Sequence, residues 1–465
     1  MNPSETPPLL TPTRRRLSIF LKLASIGALI LLLHIPLLLT DSVLSERKGY
    51  QRQAISEIAG LWGRDQLVTG PVLAVPYAYK TQRFRSRVVA GEAIQVEETE
   101  LAGATAYFLP EALTAGGSVD TELRHRGIYD VPVYDTKLHL AGWFRPDFFA
   151  AGIEADRIDW EKACVLFGVS DLRGLRSVSP LQITGGKAAA FDSVDGAVGG
   201  FLPLGAGIDC AEEGARLDFA FTVALQGSER LRIVPVGKIT TVALDSTWRD
   251  PSFCGAYLPV KRQVSAGGFK AEWETSHFSR GFPQSWTTRM SSNDEMMRKI
   301  AAAGFGVAFA QPVDGYRLAE RAEKYGLLFF ALVFAVFFLF EVTAGLTIHP
   351  LQYALVGAGL CLFFLGFLAL SEFLDAGLAY GVAATACTAL VSLYSWSFLQ
   401  TGWRTLVIVG GLVATYGYLY FVLRSQDFAL LAGTAALFVA LALVMYGTRR
   451  INWYSLGMNR QLSSA

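Results

Sequence analysis

Glu341 and His349 are the residues whose types and spacing best suggest chemistry in this sequence. Glu341 ends the very apolar run FFLFE, and His349 follows eight positions later, directly before Pro350. A carboxylate and an imidazole that meet in an apolar environment can exchange protons or bind a metal ion. The alternatives are a buried proton site, the catalytic or metal centre of a membrane enzyme, and a simple junction between two helices.

The composition indicates a membrane protein. The chain has 465 residues, of which 52% are hydrophobic and 17% charged, and its mean hydropathy is +0.35. Soluble domains of this length rarely reach that average. The net charge of +1 gives no reason to expect a nucleic-acid partner.

Apolar runs long enough to cross a bilayer as helices predict six spans. The first, Leu17–Leu39, follows three arginines and lacks a cleavage site, so we predict an uncleaved signal anchor over 17–40. Five more form a predicted transmembrane bundle over 325–446. Their approximate bounds are Tyr325–Val342, Leu351–Leu370, Ala376–Trp396, Thr405–Leu423 and Phe428–Tyr446. Basic residues near both ends place segments 1–16 and 447–465 in the cytoplasm.

The long segment 43–318 is then expected to lie outside the cytoplasmic membrane, and its pattern predicts a β-rich domain. Alternation in LDFAFTVAL, ITTVALDS, TKLHLAGWF and GFKAEW predicts mostly antiparallel strands in a layered sheet, and GGSVD predicts a turn. Two helical stalks are expected at its ends. SERKGYQRQAISEIAGLWG is expected to break at TGP, and PVDGYRLAERAEKYG to continue into the second span. The fold class is an α+β membrane protein.

Motifs for catalysis are missing from the sequence. There is no G-x-S-x-G, no G-x-G-x-x-G after a strand, and no cysteine or histidine spacing typical of zinc. We therefore predict a protein that is not an enzyme and has no cofactor or metal.

The five cysteines are expected to be unpaired. Cys164, Cys210 and Cys254 fall in the outside domain, where one disulfide is the alternative. Cys361 and Cys387 fall in predicted spans, where they behave as small apolar residues.

Ionisable residues in or beside the spans are the remaining candidates, because burying a charge in a bilayer is costly. We select Glu341, His349, Glu372 and Asp427. For the first two the favoured interpretation is a tight interfacial turn, with Pro350 in the first turn of the next helix. On that basis Glu341→Gln should keep normal abundance and function.

A G-x-x-x-G sequence, Gly377 to Gly381, is continued by Thr385 on the fourth span. Small residues at this spacing let helices approach closely. We predict packing within the bundle, with a homodimer face as the alternative.

Several segments together resemble the CreD family of bacterial inner-membrane proteins, also described as cell envelope integrity proteins. They are ERKGYQRQAISEIAGLWG, GPVLAVPY, VGKITTVALDSTWRDPSFCGAYLP, FKAEWETSHFSRGFPQSW, PVDGYRLAERAEKYGLLF, IHPLQYALVG and MYGTRRINWY. The resemblance implies a multi-pass inner-membrane protein with a large periplasmic domain. It also implies a link to envelope stress, to tolerance of colicin-type toxins and to β-lactam response under a two-component regulator, but no known reaction.

Three departures from the family pattern remove ionisable residues. The chain has Phe373 where the family often has histidine, Gln426 in place of the first residue of an acidic pair, and Asn452 in place of aspartate. These losses argue against an obligatory relay through those positions, whereas Glu341 and His349 are kept.

Two functions follow from this sequence. The first is a non-enzymatic protein whose periplasmic domain binds or senses an envelope protein or cell-wall component, while the bundle sits in the lipid bilayer. The alternative is a transporter or flippase-like protein with a periplasmic accessory domain.

Overall fold

The computed structural model describes residues 12–89, 92–194, 198, 201–209, 211–290, 292–309, 315–344, 348–399, 402–425 and 429–449. The chain divides into two compact units. We call Met1–Gln51 with Val313–Ala465 the helical unit, and Arg52–Pro312 the sheet unit.

The sheet unit contains two large sheets. The ten-stranded sheet consists of β1 (Gln66–Val89), β2 (Glu92–Phe108), β5 (Arg157–Ile158), β6 (Cys164–Val169), β9 (Asp192–Ser193), β10 (Leu204–Gly207), β12 (Arg230–Ile233), β14 (Ser252–Gly255), β17 (Ser285–Thr287) and β18 (Phe305–Ala308). The eight-stranded sheet consists of β3 (Ala112–Arg126), β4 (Tyr129–Phe144), β7 (Leu175–Val178), β8 (Gln182–Ile183), β11 (Leu217–Ser228), β13 (Ile239–Ser246), β15 (Lys261–Ser265) and β16 (Gly268–Ser276). Strand pairs are antiparallel except β1 with β12 and β13 with β3.

One hydrophobic core joins the two sheets into a sandwich. The ring of Phe167 on β6 lies 5.2 Å from that of Phe221 on β11, and Trp273 on β16 lies 5.7 Å from Phe305 on β18. Alternating burial along β13 follows from the period-two pattern of ITTVALDS, which turns every second side chain into the core. The prediction of a mostly antiparallel layered sheet is confirmed.

Two local predictions in the sheet unit are wrong. GGSVD lies inside β3 rather than in a turn. The neighbouring strand β4 passes so close that a Cβ at Gly117 would collide with the carbonyl oxygen of Lys137. The glycine therefore permits a close strand pairing instead of marking a turn. TGP lies inside β1, at an irregularity between Thr69 and Val72. The preceding helix ends earlier, at Trp62, where Gly63 follows with a φ of +92°.

The helices lie mostly in the helical unit. They are α1 (Pro12–Trp62), α2 (Asn293–Ala302), α3 (Gly315–Lys324), α4 (Gly326–Ala344), α5 (Pro350–Leu370), α6 (Ala376–Leu399), α7 (Gly402–Arg424) and α8 (Ala429–Thr448). The predicted anchor and first stalk form one continuous helix, α1, because no glycine interrupts TDSVLSERK between them. The second stalk, α3, leads directly into α4, with only Tyr325 between them, and the Phe329 N–H donates to the Tyr325 carbonyl oxygen at 2.9 Å.

Several helices are apolar enough to cross a membrane. Within the described residues, length and composition select four: Ala24–Trp62, Pro350–Leu370, Ala376–Ser397 and Gly402–Arg424, with Gly326–Phe338 as a shorter apolar helix. The chain is therefore a mixed α+β protein with a large sheet-rich unit and several apolar helices.

Candidate functional site

His349 and Pro350 form the start of α5. The Nδ1 atom of His349 accepts a hydrogen bond from the backbone N–H of Leu351 at 3.2 Å, and the Gln352 side chain accepts one from the His349 N–H at 2.8 Å. This is a capping box, which satisfies two backbone donors that have no partner within the helix. Pro350 is the first helical residue and has no N–H to lose.

Glu341 lies near the end of α4 and is buried, with 8% of its surface exposed. Its carboxylate accepts hydrogen bonds from the Tyr353 hydroxyl at 3.1 Å and from the backbone N–H of Ile348 at 3.3 Å. It also forms an ion pair with Lys22 of α1. The His349 imidazole caps its own helix instead, so these two candidates take separate structural roles.

Lys22 is the residue that sequence reasoning missed. It is the only charged residue in the apolar run Leu17–Leu39. A lysine inside a span needs a partner or a route to the interface, and that signal could have prompted a search for a buried acid. The sequence could not say which acid, because Glu341 lies 319 positions away.

Glu372 has a similar role beyond the other end of α5. Its side chain is only 10% exposed and lies 3.5 Å from the Arg47 guanidinium of α1. It accepts a hydrogen bond from the Tyr316 hydroxyl of α3 at 3.1 Å. Glu372 therefore links three segments of the helical unit. The fourth candidate, Asp427, lies outside the described residues.

A further charged cluster lies on α3. Glu320 forms ion pairs with Lys324 and Lys48, and hydrogen bonds from these amines lower the pKa of the Glu320 carboxyl to about 2. Burial, with a smaller contribution from the Asp41 carboxylate, raises the pKa of Glu323 to about 7. The two carboxylates thus differ because one has amine partners and the other is mainly desolvated.

The G-x-x-x-G sequence packs inside the helical unit only in part: a Cβ at Gly377 would lie 3.2 Å from the Tyr420 hydroxyl of α7. Gly381 is exposed, with nothing within 4 Å of the position a Cβ would occupy. The buried face of α6 contains Ala379, Tyr380 and Ala383 instead, because these residues fall on the opposite side of the helix. The homodimer face stays a prediction.

The cysteines described in the structure are free: Cys164, Cys254, Cys361 and Cys387. Burial raises the pKa of the Cys164 thiol, which makes it less reactive. Cys210 lies outside the described residues. Within the described part of the chain no group of three or more His, Cys, Asp or Glu side chains could hold a metal ion.

A large sheet-rich unit and a set of apolar helices with buried ion pairs define the class, a mixed α+β membrane protein. The sequence profile described as "Inner membrane protein CreD" matches residues 18–454. Inner membrane protein CreD of Escherichia coli (strain K12) is 32% identical over 449 residues, which are 96% of each chain. The chain therefore belongs to the CreD family of inner membrane proteins.

A solved structure similar to this chain is an M1 zinc metallopeptidase from Deinococcus radiodurans. The TM-score is 0.20 and the sequence identity 10%, over 73% of this chain and 94% of that one. A score this low supports no conclusion about fold or activity.

Proposed function

We propose that this protein is a non-enzymatic inner-membrane protein that supports cell envelope integrity. In this proposal the helical unit is an anchor, and the sheet unit binds or senses a component of the envelope. The family name supports the membrane location, and the packing of the helical unit supports the role of an anchor.

The observation that carries this proposal is a cluster of aromatic rings inside the helical unit. Phe363 of α5 packs against Phe329 of α4, Tyr380 of α6 and Tyr416 of α7, with ring centroids 4.7 to 6.2 Å apart. The Tyr380 hydroxyl donates to the Tyr416 carbonyl oxygen at 2.6 Å. Interlocked rings leave little room for a hydrated path between these helices, as suits an anchor rather than a transporter.

The charged residues of the helical unit also support the role of an anchor. The carboxylates of Glu341, Glu372 and Glu320 each have a cationic partner on α1. A transport site needs groups that can exchange partners during the cycle. Ion pairs with additional hydrogen bonds, as at Glu341 and Glu372, hold helices together instead.

We also propose that the sheet unit lies in the periplasm and that both chain ends are cytoplasmic. Arginines before the first apolar run and after the last, including Arg449 next to α8, support this orientation. A reporter enzyme active only in the periplasm, fused after Asp250, should be active. The same reporter fused after Arg450 should be inactive. A cytoplasmic signal from the Asp250 fusion would overturn this orientation.

Removing the buried charge pair tests the anchor function. The double substitution Lys22→Met with Glu341→Gln should keep normal membrane abundance, because it removes both charges and leaves an amide oxygen that can still accept from the Tyr353 hydroxyl. In a strain lacking the chromosomal gene, this variant should restore resistance to detergent and osmotic stress as well as the wild-type chain does.

Complete loss of that resistance at normal membrane abundance would contradict the anchor function. Such a loss would mean that the Lys22–Glu341 pair moves protons or ligands. The transporter or flippase-like function would then be favoured over the anchor function. The control is Lys324→Met, which removes one amine from a carboxylate that keeps Lys48 as its second partner.

A further inference from the structure

An open cleft on the sheet unit combines aromatic and charged side chains of both signs. Its volume is about 570 Å³, and its walls come from β1, the loop before β5, the loop before β11 and the segment after β17. The charged residues at its wall are Lys80, Glu154, Asp156, Glu213 and Arg289. Segments so distant in sequence form one concave surface of the size of ligand-binding clefts.

The floor of the cleft is packed into the hydrophobic core. Phe148, which is 2% exposed, packs its ring against Tyr77 at 5.6 Å, Phe108 at 5.2 Å and Trp160 at 5.8 Å. These partners belong to β1, β2 and the segment after β5, so the floor is part of the hydrophobic core. A ligand would therefore meet a preformed surface, which reduces the entropy lost on binding.

Phe149 presents an aromatic ring at the rim. It is 92% exposed although it follows the buried Phe148. A tight turn fixes this orientation: Asp147 Oδ1 accepts from the Ala150 N–H at 2.7 Å, and the Phe149 carbonyl oxygen accepts from the Gly152 N–H at 3.0 Å. Packing within the unit gives no reason for so exposed a ring, whereas contact with an apolar group of a ligand would.

One cation of the cleft has unused hydrogen-bond donors. The Arg289 guanidinium lies 4.5 Å from the centre of the Tyr79 ring, and among the described residues no carboxylate pairs with it. Lys80 differs, because it forms an ion pair with Asp156 at 2.6 Å. Arg289 is therefore oriented by the ring and available to an anion.

Two carboxylates are available as well. Glu154 and Glu213 are exposed in the wall of the cleft, and neither forms an ion pair within the described part of the chain. The cleft thus offers a guanidinium for a carboxylate, two carboxylates for an ammonium group, and a ring for an apolar side chain.

We propose that this cleft binds a short peptide with a free amino group, a free carboxylate and an apolar side chain. Arg289 binds the peptide carboxylate, Glu154 and Glu213 bind the ammonium group, and Phe149 packs against the apolar side chain. A neutral sugar could stack on Phe149 but would offer no opposite charge to the guanidinium or to the carboxylates. This inference rests on the proposed function and names the class of ligand that the sheet unit recognises.

The test uses the full-length protein in lipid nanodiscs and saturation-transfer NMR. The probes are Ala-Leu-Ala, Ala-Phe-Ala and Ala-Phe-Ala-Ala, each with free termini, each acetylated at the amino end only, and each both acetylated and amidated. We expect transfer to the free peptides and at least tenfold weaker binding of the blocked forms. Arg289→Gln should weaken binding of the free peptides about tenfold, and Phe149→Ala severalfold. The matched control, Arg262→Gln, changes another exposed arginine, on β15, and should leave binding unchanged.

A second variant tests the role of the carboxylates. Glu154→Gln with Glu213→Gln should weaken binding of peptides with a free amino group and should not affect peptides that are acetylated at the amino end only. Absence of transfer to every free peptide would overturn the inference. Binding that Arg289→Gln and Phe149→Ala leave unchanged, or equally strong binding of neutral chitobiose, would overturn it too.

The two proposals fail in distinguishable ways. Peptide binding is measured on purified protein and does not depend on the cellular phenotype. If no peptide binds while the variant without the buried charges still restores envelope resistance, only the peptide inference is wrong. If that variant fails in cells while peptides bind to the purified protein, the anchor function is wrong.

Discussion

Replacing Arg280 with methionine should lower the free energy of unfolding of the sheet unit by about 3–5 kcal/mol, because the substitution leaves several buried acceptors without a donor. Arg280 is 8% exposed. One terminal nitrogen of its guanidinium donates to the carbonyl oxygens of Pro235, Val236 and Gly237 at 3.2, 2.5 and 3.1 Å. The other terminal nitrogen donates to the side chain of Gln284.

The network extends beyond Arg280. The Gln284 amide donates to the carbonyl oxygens of Leu109 and Pro110 at 2.9 and 2.8 Å. One arginine thus holds the segment after β12 next to the segments after β2 and before β17. Burial lowers the pKa of Arg280 to about 10, so the side chain is still protonated at neutral pH and keeps all of its donors.

Unfolding of the purified full-length protein, followed by tryptophan fluorescence in denaturant, measures the effect. Arg280→Lys should fall between wild type and Arg280→Met, since one ammonium group cannot reproduce the planar fork of donors. Arg262→Met, on the exposed strand β15, is the matched control and should change stability by less than about 0.5 kcal/mol. A loss below about 1 kcal/mol for Arg280→Met would mean that the network is not structural.

The second large effect is expected for Glu341→Gln alone, which should destabilise the helical unit by about 3 kcal/mol. The amide can still accept from the Tyr353 hydroxyl, but it cannot neutralise the Lys22 ammonium, which is largely buried at 22% side-chain exposure. The sequence alone predicted normal abundance for this variant, because it did not reveal that Lys22 was the partner.

Membrane abundance and the apparent melting temperature in detergent should both fall for Glu341→Gln. Adding Lys22→Met should restore most of the loss, since the second substitution removes the charge left without a partner. Glu320→Gln is the control: its pairs with Lys48 and Lys324 are more exposed, and each is expected to contribute only about 0.5 kcal/mol. Equal losses for Glu341→Gln with and without Lys22→Met would show that the two residues are not coupled.

The sequence by itself determined most of the helices and several of the strands of this protein. Apolar runs predicted the helices α4 to α8, because a segment that must satisfy its own backbone groups in lipid is recognisable from length and composition. Alternation predicted β11 and β13, because a strand buried on one face repeats with period two. His349 before Pro350 likewise predicted a helix start, since capping involves neighbours in the chain.

Only the tertiary structure decided which elements meet and which residues become partners. Lys22 and Glu341, or Tyr79 and Arg289, are far apart in the chain, and no local pattern records their contact. The strand over GGSVD also depends on β4, which approaches so closely that only glycine fits at 117. Hydrophobicity and hydrogen bonding along the backbone act locally and can be read from a window of residues. Ion pairs, buried networks and clefts depend on contacts between distant segments, which exist only once the chain has folded.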